Sequence, residues 1–224
     1  YKGCNNATTR EEAAKWLVQE GYATDPTYAT KLIELMSQHT GTKPLVKPKE
    51  KILKVAYEYQ LGPDDGATGY RQCFSSSCAM VARYYGKISG DYEYNKLRAR
   101  FGDTTDPKAQ IAAFKALGLT ATFEMDGTVE ELEDEISNGH PVPVGWLHKG
   151  PISDPSGTGH WSVVVGFTPT HFIHNDPYGE ANLVNGGYIS HKGGAGVAYS
   201  RKNWLPRWLI EGTDTGWFLK VRPR

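Results

Sequence analysis

Residues 73–86, CFSSSCAMVARYYG, constrain the fold of this chain more than any other stretch. A polar, glycine-containing loop, GPDDGATGYRQ, precedes them, and Gly86 closes them. The spacing predicts a short helix that begins at Cys73 and stops at Gly86. On that helix Phe74, Cys78, Val81 and Tyr85 line one stripe and require a covering surface. A helix begun at Cys78 would have only about two turns before Gly86. Helix length therefore favours Cys73 as the residue at the helix start. Spacing pulls the other way, because Gln72 stands six residues before Cys78. A thiol at a helix N-terminus faces unpaired backbone N–H groups and the positive end of the helix dipole. Both favour thiolate, the nucleophilic form. Cys78, in this reading, is a small buried hydrophobe.

The flanking sequence divides into three parts. Residues 1–42 read as a helical segment of two helices. Thr9 to Glu12 matches a capping box for the first, which ends near Gly21. Asp25-Pro26 supplies an N-cap and a proline at the first helical position for the second. Tyr28, Leu32, Ile33 and Met36 share a face of that helix. Residues 43–50 read as a linker, lying in GTKPLVKPKEK with its two prolines and four lysines. Residues 51–224 read as one domain. Ile52 to Gln60 alternates loosely and suits a strand. A helix is expected over Tyr94 to Phe101, and another from Asp106-Pro107 to Gly118. Leu119 to Met125 reads as a strand. Thr128 and Glu131 cap a helix ending at Gly139. Val142 to Leu147, residues 160–167 and residues 171–175 read as strands. The glycine-rich tail carries scattered aromatics and ends in a strand-like WFLKV. Helices come first and a mostly antiparallel sheet later, so the class is α+β.

Composition narrows the function. Lys plus Arg and Asp plus Glu balance at 25 each, so no excess charge argues for nucleic acid or an anionic membrane. No apolar run approaches the roughly 20 residues that span a bilayer. YKGCNNATTREE lacks the basic start and apolar run of a signal peptide. Three cysteines make no disulfide framework, and without a CxxC pair they make no zinc site. Asp64, Asp65 and Gly66 read as a turn and not as a calcium loop. No metal or organic cofactor is expected, and a monomer is the default.

Two further residues complete a chemical pattern with Cys73. His160 opens GHWSVVVGF at a strand start, and Asp176 follows the next strand in HNDP. The segment FTPTH between them suits a turn. A turn centred near Thr168 or Pro169 sets His160 almost opposite Asp176, at about 5 Å. A carboxylate there can hold one imidazole nitrogen and leave the other to face a thiol. Acyl transfer also needs donors for a developing oxyanion. The Cys73 N–H is one. The other is the side-chain amide of Gln60 or Gln72, with Gln60 favoured because it ends a predicted strand. His174 is expected to face solvent or to pack, and His140 and His148 to sit in loops or at strand ends. Trp204, Trp208 and Trp217 either line a substrate groove or cap the sheet, with capping favoured.

These residues resemble the bacteriocin-processing, double-glycine cysteine peptidase family, in its phage lysin-type branch. Cys73, Ala79, Met80, Tyr84, Tyr85 and Gly86 fit its first block, and Leu97-Arg98 fits a following element. Asn138, Gly139 and Pro141 fit its turn before a strand. His160 and Asp176 to Gly179 fit its last block. The likeness covers roughly residues 50–180. It departs from the family at Phe74, where glycine is usual, and in a longer loop between Gln60 and Cys73. The resemblance implies a papain-like cysteine peptidase fold with Cys73, His160 and Asp176 as triad and Gln60 as oxyanion glutamine. Residues 14–38, with the run YATDPTYATKL, resemble the C-terminal end of peptidoglycan glucosaminidase domains. That implies a cell-wall context without glycosidase activity.

The expected function is a cell-wall lytic cysteine endopeptidase of the phage endolysin or tail-associated lysin type. It would hydrolyse an amide in peptidoglycan peptides, outside the cytoplasm or on a virion. The alternatives are a protein-processing cysteine peptidase and a catalytically inactive wall-binding or virion module.

Overall fold

A computed structural model describes residues 2–25, 27–38, 50–62 and 66–224. The chain divides into two compact units, Tyr1–Lys49 and Glu50–Arg224. Pro26 and residues 43–49 of the expected linker lie outside the described residues.

The first unit contains α1 (Lys2–Asn6), α2 (Arg10–Gln19) and α3 (Tyr28–Gln38). Its sequence predicts two helices. The extra one, α1, is a single short turn with no capping residue to announce it. Thr9 caps α2, its hydroxyl accepting the Glu12 N–H at 3.1 Å. The return half of the expected box lands one residue early, since the Glu12 carboxylate accepts the N–H of Thr8 at 2.9 Å. Asp25 accepts both the N–H and the hydroxyl of Thr27 ahead of α3, and it pairs with Lys31 at 2.9 Å.

The second unit begins with β1 (Lys51–Ile52) and a 3-10 turn (Gly66–Arg71). Three helices follow: α4 (Cys73–Tyr84), α5 (Asp91–Arg98) and α6 (Pro107–Ala116). Next come β2 (Leu119–Gly127), α7 (Val129–Ser137), β3 (Val142–Trp146), β4 (His160–Phe167) and β5 (His171–Asn175). The chain closes with β6 (Glu180–Ala181), β7 (Tyr188–Ser190), β8 (Val197–Ser200), α8 (Arg201–Trp208) and β9 (Gly216–Pro223). The main sheet is antiparallel in the order β2-β9-β3-β4-β5-β8, with β1 also on β4. β6 and β7 form a separate ribbon.

Local signals explain most of these boundaries. Gly86, at φ 67°, ends the turn after α4. Asp106 accepts the Lys108 N–H at the start of α6, followed by proline at the first helical position. Thr128 and Glu131 form both halves of a capping box on α7.

Three expectations are corrected. The strand read over residues 52–60 is only two residues long. β3 already occupies the same edge of β4 up to Val142–Val164, so β1 can pair only beyond it, Ile52 with Gly166. The Leu53 N–H still donates to Val165 O at 2.7 Å, and residues 54–60 then run outside the sheet. The tail also holds α8, hidden by Pro206 in its interior, and β8, hidden by its short length. Finally, Val163 pairs with Asn175, with a register shift between Val164 and Gly166. That register sets Asp176 level with Ser162 and not with His160. His160 and Ser162 share a strand face, so His160 reaches Asp176 diagonally.

The sheet buries both faces. On one, Val163, Val165, Leu219 and Val221 meet Phe74, Met80, Tyr94 and Phe114 of α4, α5 and α6. On the other, Val142, Val144, Phe172 and Phe218 meet Leu132 and Ile136 of α7 and Trp204 and Trp208 of α8. Trp204 and Trp208 therefore belong to the core, as the sheet-capping reading expects.

Candidate active site

Cys73 is the first residue of α4 and is partly exposed, at the mouth of an otherwise buried helix. Cys78, one turn further on, has no exposure at all. Burial pushes its thiol well above the ordinary cysteine value, with a hydrogen bond to Tyr94 and the Arg98 charge opposing only in part. The structure thus places Cys78 in the core and leaves Cys73 at the site.

A buried polar network holds the start of α4. Ser75 and Thr104 share a hydrogen bond at 2.7 Å, and Thr104 donates to Gln72 Oε1 at 2.8 Å. Thr104 spends its proton on Gln72, so Ser75 donates to Thr104. The Ser75 oxygen in turn accepts from Arg98 Nε at 3.1 Å and Gln110 Nε2 at 3.0 Å. Gln72 is committed here, its oxygen turned into the network.

Gln60 occupies a different place. It is 1% exposed, and its N–H donates to Pro177 O at 2.9 Å, just past Asp176. Its Nε2 donates to Gly69 O at 3.0 Å, in the 3-10 turn that delivers Cys73. Its Oε1 has no hydrogen-bond partner among the described residues. Gln60 thereby ties the Asp176 loop to the Cys73 loop.

His160 and Asp176 meet inside the protein. His160 Nε2 lies 2.8 Å from Asp176 Oδ1, and Asp176 has no exposure. A carboxylate only accepts, so Nε2–H donates. Asp176 Oδ1 also accepts the Tyr178 N–H at 3.0 Å, and Oδ2 accepts the Tyr199 hydroxyl at 2.9 Å. The Cys73 side chain also acts on the His160 ring and raises its pKa, and with Nε2 given to Asp176 the ring atom left to face it is Nδ1. Burial pulls the imidazole pKa down, but the Asp176 charge, its hydrogen bond and the Cys73 side chain outweigh it and raise the value to about 10. The ring is enclosed by Trp146, His148 and Tyr188, whose ring centroids lie 5.3, 5.6 and 5.6 Å away. Burial, then the His160 charge, lowers the His148 pKa to about 4.

Tyr199 and Ser75 escape the sequence reading, because both act through partners distant in the chain, and within its helix Ser75 is only one of three consecutive serines. His174, expected to face solvent or to pack, is fully buried. Its Nδ1 meets Ser162 Oγ at 2.9 Å, and Ser162 also accepts Trp146 Nε1. His140 Nδ1 meets the Tyr85 hydroxyl at 2.9 Å. Phe74, where the resemblance leads one to expect glycine, stacks on Trp161 at 3.7 Å. No cluster of metal-ligating side chains occurs among the described residues.

In chemical terms, a thiol at a helix N-terminus acts on an imidazole that is bonded to a buried carboxylate. That arrangement can activate a thiol and pass a proton to a leaving group.

Comparison with known proteins agrees with this reading at the level of family and fold. The model of the Peptidase_C39 like family matches residues 52–191. Among solved structures, a putative C39-like peptidase from Bacillus anthracis is 16% identical with a TM-score of 0.55. The match covers 79% of this chain and 98% of that one. The peptidase domain of Streptococcus ComA, a bi-functional ABC transporter of a quorum sensing pathway, is 19% identical with a TM-score of 0.47. That match covers 78% of this chain and 98% of the other. A double glycine motif protease from an AMS/PCAT transporter, in complex with its leader peptide, is 19% identical with a TM-score of 0.48, over 78% and 95% of the chains. No curated protein sequence matches significantly. The fold is the mixed helix and antiparallel-sheet fold of papain-like C39 peptidases.

Proposed function

The chain belongs to the Peptidase_C39 like family, and from that premise and the contacts of His160 we propose that it is a cysteine endopeptidase. The observation that carries this reading is the buried His160–Asp176 pair at 2.8 Å, with the Cys73 side chain acting on the same ring. The thiol proton rests on His160 before the attack, and Cys73 Sγ attacks the amide carbonyl carbon as the thiolate of that ion pair. The Cys73 N–H and Gln60 hold the oxyanion. His160 then protonates the leaving amine, and the C–N bond breaks to leave a thioester. Water, deprotonated by His160, attacks the thioester and releases the acid and the thiol. Asp176 keeps the ring oriented throughout.

The amide belongs, in this proposal, to the peptide stem or cross-bridge of peptidoglycan, which places the protein at the bacterial wall outside the cytoplasm or on a virion. Support comes from residues 14–38 and their likeness to the end of a glucosaminidase domain. The test is release of soluble peptide from purified sacculi. Cys73→Ala is expected to abolish release and to remove rapid iodoacetamide labelling, while Cys78→Ala retains both. Release by Cys73→Ala at the parent's rate would overturn the nucleophile. Cleavage of protein substrates beside intact sacculi would identify a processing peptidase. Sacculus binding without release would identify an inactive wall-binding module.

A further inference from the structure

A cavity of about 660 Å³ opens beside His160, walled by Trp146, Trp161, Trp208 and Trp217, with Ile210 and Glu211 at its lip. It is lined by sequence neighbours of His160 and by a ring that stacks on the neighbour of Cys73. Gly159, in its lining, precedes His160, and Trp161 stacks on Phe74, the neighbour of Cys73.

The walls are built by glycines on neighbouring strands. A Cβ at Gly145 would stand 2.9 Å from the Trp161 ring, and one at Gly216 would stand 2.3 Å from Trp208. Both indoles thus occupy space that any other residue would fill. Trp217 pairs with Gly145 across β3 and β9 and is 49% exposed, although indole is costly to leave in water. Glu211 is the one charged residue of the lining among the described residues. Its backbone N–H reaches Thr215, but its carboxylate has no hydrogen bond or ion pair among the described residues.

Aromatic faces with a single free carboxylate complement a long aliphatic chain ending in a cation. We propose that this cavity is a substrate subsite for a basic side chain, lysine or a similar diamino acid. Its methylenes lie along Trp161 and Trp217, and its ammonium meets Glu211. The assignment deepens the peptidase reading and rests on it for the identity of the ligand as a peptide.

Binding tests it apart from turnover. Acetylated pentapeptide amides of four alanines and one lysine, placed at each position in turn, are titrated into the Cys73→Ala protein by tryptophan fluorescence. Matching norleucine and glutamate sets serve as comparison. The best lysine peptide is expected to bind at least about threefold tighter than its norleucine twin, with glutamate weakest. In Cys73→Ala with Glu211→Gln, that lysine preference is expected to fall to about parity. Equal affinity for lysine and norleucine, no saturable binding, or a lysine preference untouched by Glu211→Gln would overturn the proposal. Cleavage of the same peptides by the parent protein reports separately on the activity. Lysine-selective binding without any cleavage would remove the peptidase reading and leave the subsite standing.

Discussion

Asp176 is the residue whose role is most sharply testable. Its carboxylate accepts from His160, Tyr178 and Tyr199, and its charge opposes the burial that would otherwise lower the His160 pKa. Asp176→Asn keeps the shape and removes the charge. It is expected to lower kcat/KM by roughly 10²- to 10⁴-fold. A second readout separates electrostatics from packing. In the parent, the alkaline fall of kcat/KM belongs near pH 10, where His160 loses its proton. In Asp176→Asn that limb is expected to move toward the ordinary histidine range, about 6.5. An unmoved limb in a folded variant would show that Asp176 does not set the charge on His160. The Cys, His and Asp were each legible in the sequence as types in motifs. Tyr199 was not, because its hydroxyl earns meaning only from the carboxylate it touches 23 residues away.

At the scale of elements, α4 carries the chemistry and α5, α6 and the 102–106 loop hold it in place. Ser75 is the joint: one hydroxyl serves Thr104, Arg98 and Gln110. Ser75→Ala leaves the Arg98 and Gln110 N–H groups without that acceptor in a buried site. The expected cost is about 1–3 kcal/mol, measured by urea denaturation, with lower activity as the helix start shifts. A variant as stable as the parent would show that water or the neighbours satisfy those groups. The ends of α4, α6 and α7 were legible because glycine, Asp-Pro and a capping box act within a few residues. The two-residue β1 and the bulge in β4 were not. Both depend on which edge another strand has already taken, a matter of packing and not of propensity.

The molecule as a whole answers to pH through histidines on both sides of neutrality. Burial, then the His160 charge, lowers the His174 pKa to about 3. The unfolded chain therefore takes up that proton first. The stability His174 confers is complete above about pH 6.5 and is lost as pH falls toward 3. At pH 5 the loss amounts to about 2 kcal/mol. His160 has the opposite sign: its raised pKa stabilises fully below about pH 6.5, and that contribution fades as pH rises through about 10. In His174→Phe, stability between pH 7 and pH 5 is expected to fall less steeply than in the parent, whatever its level at pH 7. Equal slopes would show that His174 does not titrate with unfolding. Sequence by itself determined the α+β class, the helix that begins at Cys73, and the chemical types at residues 73, 160 and 176. These follow from capping, periodicity and turn chemistry, which act over a few residues. Tertiary structure alone decided that Cys78 is core, that Gln72 is spent on Thr104, and that tryptophans from three strands and a helix enclose one cavity. Such outcomes depend on distances between residues far apart in the chain, and only the closed sheet fixes those distances.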